Sequence, residues 1–303
     1  MSIPRASVVI TTKNRKEDLR VALESAFTQS VPVEVLVVDD GSTDGTADMV
    51  RDEFPVTRLE RSEVSVGYIV ARNRAAGLAT TSIVFSIDDD AAFSTPMVVE
   101  QTLTEFANPR VGAVAIPYTE PNKSQRIHQS SPGGTEVFVT DVFIGTSHAL
   151  RRDIFLKLGG YRECLVHQGE EGDYCLRLLN AGFVTRLGRA DPIHHFESPL
   201  RDLRRMDLHG RRNDVLFAWH NVPMPYLPFH LAATSSNGLL SGIKLGRPLR
   251  MLRGTLSGYG ACLSRWTHRQ PVGAVVYRLS RRLKKGGAIR LDEIELTLPE
   301  PRL

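Results

Sequence analysis

Ile83-Val84-Phe85-Ser86-Ile87-Asp88-Asp89-Asp90 runs from an apolar, β-branched stretch straight into three adjacent carboxylates. Five residues with almost no polar alternation, followed by a turn-forming run, fit a strand buried on both faces. A single aspartate at such a strand end is ordinary turn chemistry. Three in a row repel one another unless a cation or solvent offsets the charge. Hard oxygen ligands suit Mg2+ or Mn2+, which bind through one or two carboxylates and take their remaining ligands from water or a diphosphate.

The surroundings repeat the theme. Ser7-Val8-Val9-Ile10-Thr11-Thr12 is another buried-type strand, and 33–38 is a third that ends at Asp39-Asp40-Gly41. Between them, 15–29 carries Leu19, Ala22, Leu23 and Ala26 at helical spacing. Thr43-Asp44-Gly45-Thr46 offers cap residues for a helix. A short strand at 56–59, an alanine-rich helix over 67–78, a helix opened by Pro96 and a strand over 111–116 follow. Strands alternating with helices predict an α/β fold with a mostly parallel sheet. In open sheets of that kind ligands bind beyond the carboxyl ends of the strands. Thr11-Thr12, Asp39-Asp40 and Asp88-Asp89-Asp90 then meet at one edge.

The second half is less regular. A loop is expected over 121–134, a strand over 137–143, helices near 152–158 and 172–180, short strands at 184–187 and 193–196, and helix over 200–220. Gly169-Glu170-Glu171-Gly172-Asp173-Tyr174 opens one of these helices. Acidic residues in a first turn are ordinary dipole stabilisation, but a metal-diphosphate site also needs a base for the incoming nucleophile. His194-His195 closes a short strand, where neighbours point to opposite faces, so at most one of the two faces Asp90.

Composition sets the outer bounds. With 303 residues, 42% apolar and 24% charged, the chain is long enough for a full core and is neither fibrous nor disordered. The net charge of +4 names no partner. Its distribution says more: no acidic residue lies between Asp214 and Asp292, while 242–290 holds twelve lysines and arginines. That basic stretch is either a solvated helical cap or a surface for anionic lipid headgroups. No nucleic-acid-binding motif accompanies it. Cys164, Cys175 and Cys262 form neither a metal spacing nor an even set for disulfides. There is no signal-peptide pattern and no apolar stretch near the roughly 20 residues that span a bilayer. The expectation is a cytoplasmic protein, with room for peripheral contact at the inner face of a membrane.

Taken together, these segments resemble the family 2 glycosyltransferases, inverting enzymes of the GT-A fold. The resemblance covers about 7–225. Its carriers are Ser7 to Arg15, the turn Val37-Val38-Asp39-Asp40-Gly41-Ser42, Gly67 with Ala71-Arg72-Asn73, the DxD element Asp88-Asp89-Asp90, Gly145-Thr146-Ser147 with Gly159-Gly160-Tyr161, and Glu170-Glu171-Gly172-Asp173 in place of the ED motif. It implies a Rossmann-like, mostly parallel central sheet flanked by helices, and the chain beyond it reads from its own pattern as a C-terminal helical extension. The expected division is 1–228 as the GT-A domain, with 1–118 the nucleotide-sugar half and 119–228 the acceptor half. The basic, mainly helical extension then occupies 229–303.

The resemblance also implies roles. Thr11, Thr12, Asn14, Asp40, Arg72, Asp88 and Asp89 would surround the sugar nucleotide. Asp88 and Asp90, with His194 or His195, would hold Mn2+ or Mg2+, and His194 is slightly favoured by its distance from Ala181-Gly182. The family usually has Asp as the second member of its acidic pair. This chain has Glu171, which makes Glu171 the expected base and leaves Glu170 and Asp173 as alternatives. The donor would be a UDP- or dTDP-sugar, and the acceptor a glycan, a lipid-linked molecule or a small molecule. Two other readings are a sugar-nucleotide nucleotidyltransferase and a relative that binds sugar nucleotide without turnover. The first would want a glycine-rich loop after the opening strand, and Thr12-Lys13-Asn14-Arg15 has no glycine.

Overall fold

The β-branched runs of the first half form one flank of a nine-stranded sheet in a computed structural model that describes residues 3–197 and 202–302. β1 (Ala6–Thr12), β2 (Val33–Asp39), β3 (Arg58–Arg61) and β4 (Ile83–Asp88) lie parallel in the order β4-β1-β2-β3. Strand periodicity sorts their side chains. Val8, Ile10, Val35, Val37 and Phe85 share one core with α1 (Lys16–Phe27), through its Leu19, Ala22, Leu23 and Ala26. Val9, Leu36, Val38 and Val84 share the other with Ile69, Ala71 and Ala75 of α3 (Tyr68–Leu78). α2 (Thr46–Glu53) adds Met49 and Val50 to the first core.

Register is what builds the site. Thr11 lies opposite Val38 on one side and Asp88 on the other, and Thr12 lies opposite Asp39. The three carboxyl ends therefore meet at one edge, as the strand pattern predicts.

The remaining elements are β5 (Ala91–Phe93), α4 (Val98–Thr104), β6 (Val111–Ala115), β7 (Tyr118–Glu120), β8 (Ser124–His128), β9 (Phe138–Thr140), β10 (Ser147–Arg151), α5 (Arg152–Lys157), α6 (Glu170–Asn180), β11 (Val184–Leu187), β12 (Ile193–His195), α7 (Leu203–Asn221), α8 (Tyr226–Lys244), α9 (Pro248–Ser264), α10 (Ala274–Gly286) and β13 (Ile289–Arg290). The main sheet runs β13-β9-β11-β6-β10-β4-β1-β2-β3, and a small sheet runs β5-β12-β7-β8.

Several expectations change here. β10 inserts antiparallel between β4 and β6, where Ser-His-Ala-Leu-Arg has no β-branched residue to announce a strand. The loop expected over 121–134 contains β8, and the strand expected over 137–143 shrinks to β9. The helix expected from Leu200 begins at Leu203; Leu200 itself lies outside the described residues. Past residue 228 the chain is helical, but β13 brings it back to pair with β9 at the sheet edge. Among the described residues, no helix is long and apolar enough to cross a membrane.

Candidate active site

At the carboxyl edge of β1 and β4 lies a cleft of about 630 Å³. One wall comes from the first half (Thr11, Thr12, Asp40, Asp88 to Asp90), and the other from Gly145, Glu170, Glu171 and His195. Arg72 and Tyr68 of α3 sit between them.

The three aspartates leave β4 with separate tasks. Ligand atoms of Asp88, Asp90 and His195 all lie within 4.8 Å of one another, a spacing one divalent cation can bridge. Two hard carboxylate oxygens and an imidazole nitrogen suit Mn2+ or Mg2+, so the donor set fits the expected metal. His195 Nε2 is 3.5 Å from Asp90 Oδ1. His194 faces away, its Nδ1 2.9 Å from Thr119 Oγ1. The slight preference for His194 is thus corrected: strand alternation in β12, paired with β5, turns His195 toward the aspartates. Asp89 is buried in the cleft wall, where it accepts from Thr12 Oγ1 at 2.8 Å and from Arg15 Nη1 at 3.2 Å. The same Arg15 nitrogen donates to Asp90 Oδ2 at 2.6 Å.

Their charge states diverge accordingly. Burial pushes Asp89 up to about 7, with Arg15 opposing. Burial also works against a charged Asp90, but the hydrogen bond and charge of His195, with Arg15, hold it well below the usual carboxylate range.

Asp40 holds the loop 65–67 at the edge of the cleft. Its carboxylate accepts from the Val66 and Gly67 amides at 2.7 and 3.0 Å and from Ser65 Oγ at 2.6 Å. Gly41, at φ +81°, lets the turn pass beside that loop; a Cβ there would lie 3.3 Å from the Ser65 nitrogen. Asn14 takes a left-handed conformation, and its Oδ1 accepts from the Thr43 amide at 2.7 Å. Asn14 is not among the lining residues, so here it braces the turn.

The opposite wall is the start of α6. Arg72, almost fully buried, donates to Asp88 Oδ1 at 2.5 Å and to Glu170 Oε1 at 3.0 Å. Glu170 Oε2 accepts from Tyr68 Oη at 3.1 Å, so both of its oxygens are engaged. Glu171 Oε1 lies 4.0 Å from Arg72, and its side chain keeps 22% exposure to the cleft. Burial and the adjacent Glu170 carboxylate push Glu171 up to about 8, against the pull of Arg72. Glu170 is also raised, by burial first. Gly145 permits this geometry, because a Cβ there would come within 2.6 Å of Glu171 Oε1 and 2.7 Å of Arg72 Nη1.

Asp173 leaves the list of candidate bases. Two residues past Glu171 the helix has turned away, and Asp173 is buried outside the cleft. It accepts from Arg162, from Arg177 Nε at 2.9 Å and from Asn221 Nδ2 at 2.7 Å. Asp173→Ala should cost about 3–5 kcal/mol in urea unfolding, because it takes the carboxylate away from Arg162 and Arg177. A loss under about 1 kcal/mol would mean that solvent reaches this cluster.

Some lining residues were not anticipated: Tyr68, Arg15, Gln168, Glu197 and Arg205. Tyr68 had a signal, being one helical turn before Arg72. Gln168 had none. It sits at φ +68° beside Val166 at φ +65°, in a loop whose carbonyls at Leu165, His167 and Gln168 accept from the Asn213 side chain.

The family model described as Glycosyl transferase family 2 matches residues 7–159. The pre-mycofactocin glycosyltransferase of Mycobacterium tuberculosis is 30% identical over 281 residues, covering 83% of this chain and 56% of that protein. The chain spans only about a quarter of the length of the first curated relatives it matches. Among solved structures, a Pyrobaculum calidifontis mannosyltransferase in complex with GDP-Man and Mn2+ superimposes with a TM-score of 0.58 at 21% identity, over 94% of this chain and 79% of that one. Residues 1–349 of TarS from S. aureus, in complex with UDP-GlcNAc, give 0.62 at 17% identity, over 85% and 80%. At these identities the likeness shows the fold, which is GT-A.

Proposed function

The chain belongs to glycosyl transferase family 2, and from that premise we propose that it is an inverting transferase. It moves a sugar from a UDP- or dTDP-sugar to an acceptor hydroxyl, in polysaccharide or glycoconjugate synthesis. The observation that carries this reading is Arg72, one buried guanidinium hydrogen-bonded both to Asp88 on the metal side and to Glu170 beside the free-facing Glu171. A site for departing negative charge and a site for proton removal are thereby held in one cleft.

Asp88, Asp90 and His195 would hold the divalent cation, which supplies neutralisation of the charge that builds on the departing diphosphate. Thr11, Asp40 and the Ser65–Gly67 loop line the donor half. Glu171 takes the proton from the acceptor hydroxyl as that oxygen bonds to the anomeric carbon. The bond from that carbon to the diphosphate oxygen breaks, and its electron pair leaves with the nucleoside diphosphate. One displacement inverts the configuration and needs no covalent enzyme intermediate. Glu170 and Tyr68 keep Arg72 in place and so position rather than react. Residues 1–228 would form the catalytic domain and 229–303 its extension.

The test is a panel of sugar nucleotides assayed by calorimetry for Mn2+-dependent binding and by release of nucleoside diphosphate. Binding of none of them would sink the reading. The pH profile gives a second check. A general base works deprotonated, and Glu171 is raised, so kcat/KM for donor hydrolysis should climb with pH and level off only above about 8. A profile already flat from pH 6 would remove Glu171 as the base.

A further inference from the structure

We propose that the outer face of the α8–α9 hairpin docks the protein on the surface of an anionic lipid bilayer. The inner face is made for close packing. A Cβ on Gly254 or Gly258 would lie 2.8 Å from the carbonyl oxygens of Leu208 and Arg212 in α7, and one on Gly242 would lie 2.9 Å from Pro248 Cα in α9. With glycines turned inward, the large apolar side chains face out. Leu249, Leu256 and Leu263 recur every seven residues along α9, at 79%, 60% and 82% exposure. Phe229, Leu240 and Ile243 of α8 are also exposed. Two adjacent helices with apolar outer faces are not a surface made for water alone. At the far end of α9, Trp219, Leu231, Tyr259, Cys262, Leu263 and Trp266 line a cavity of about 470 Å³. Tyrosine and tryptophan favour the headgroup boundary.

Charge selects the occupant. No aspartate or glutamate occurs from 215 to 291, and exposed Lys244, Arg250 and Arg253 follow directly on Ile243, Leu249 and Leu252. An apolar stripe edged by cations matches an interfacial helix on anionic headgroups. A second copy of the same face would set cation against cation. The charge-rich helix α10 is less suited: its Val276, Leu279 and Leu283 are buried against the core. Position adds a consequence. Arg247, at the start of α9, is 3.1 Å from Asp207, the neighbour of cleft-lining Arg205 and Met206. A bilayer at the hairpin turn therefore lies beside the cleft mouth, where an acceptor carried on a lipid would be presented.

Docking is measured without sugar nucleotide or acceptor, so its failure and that of the transferase reading are separable. The full chain should sediment with vesicles of phosphatidylcholine and phosphatidylglycerol in equal parts, and far less with phosphatidylcholine alone or at high salt. Leu249→Glu, Leu256→Glu and Leu263→Glu together should weaken vesicle binding by roughly tenfold or more. Lys244→Glu with Arg253→Glu should do so by about the same factor. These positions are exposed, and unchanged circular dichroism would confirm folding. No binding to the anionic vesicles, or equal binding by both variants and the wild type, overturns the proposal. So does a dimer in sedimentation velocity that the leucine substitutions dissolve, since a second copy would then cover the face.

Discussion

Asp90→Ala is expected to abolish Mn2+-dependent sugar-nucleotide binding and to lower donor turnover about a thousandfold. The magnitude follows from the several kcal/mol a cation contributes to charge on a departing diphosphate, at roughly 1.4 kcal/mol per factor of ten. Asp90 is the aspartate for this test because its two oxygens face different partners. Oδ1 faces His195 at 3.5 Å, and Oδ2 accepts from Arg15 at 2.6 Å. Its depressed pKa keeps it charged at any working pH. Asp89 is the contrasting control. It is buried against Thr12 and Arg15, so Asp89→Asn should keep the metal dependence and lose no more than about tenfold. Calorimetry with and without Mn2+ separates the two. If Asp90→Ala binds donor with unchanged metal dependence, the cation site lies elsewhere.

The wall built on β1, β2 and β4 was far more legible in the sequence than the wall opposite, for a physical reason. Val8 to Ile10, Val35 to Val38 and Ile83 to Ile87 are apolar, β-branched runs, and parallel pairing forces their carboxyl ends together. Once those strands are placed, Thr11 and Asp88 are neighbours by register alone. Nothing comparable fixes the other wall. β10 is Ser-His-Ala-Leu-Arg, and its His148 is buried through a stack on Phe143 and a 2.8 Å contact with Tyr161. Those are tertiary contacts, invisible to periodicity. Likewise Glu170, Glu171 and Asp173 are three acids in one first turn, and sequence spacing cannot say which faces a cleft. Helix geometry and Arg162, Arg177 and Asn221 decide that Asp173 does not. The histidine doublet shows the same limit. Alternation says that at most one of the two faces the aspartates, but only the pairing of β12 with β5 says which.

Glu171→Gln should lower donor turnover by roughly a factor of a thousand, within the range for loss of a positioned base, while donor affinity changes by less than about twofold. Glutamine keeps the length of the side chain and cannot take the proton, so the split between binding and turnover is the informative readout. Glu170→Gln should behave differently. Both Glu170 oxygens are engaged, by Arg72 at 3.0 Å and by Tyr68 at 3.1 Å. The amide would remove the counter-charge that holds Arg72 and would move KM as well as kcat. The pH profile separates the two roles. Burial and Glu170 both raise Glu171, so neutralising Glu170 takes away a repulsive charge and should shift the rising limb toward lower pH. A variant with glutamine at 171 should have no such limb at all. If Glu171→Gln retains full turnover with an unchanged profile, the proton leaves by another group. Glu170, the neighbouring carboxylate on that wall, would then have to release Arg72 before it could act.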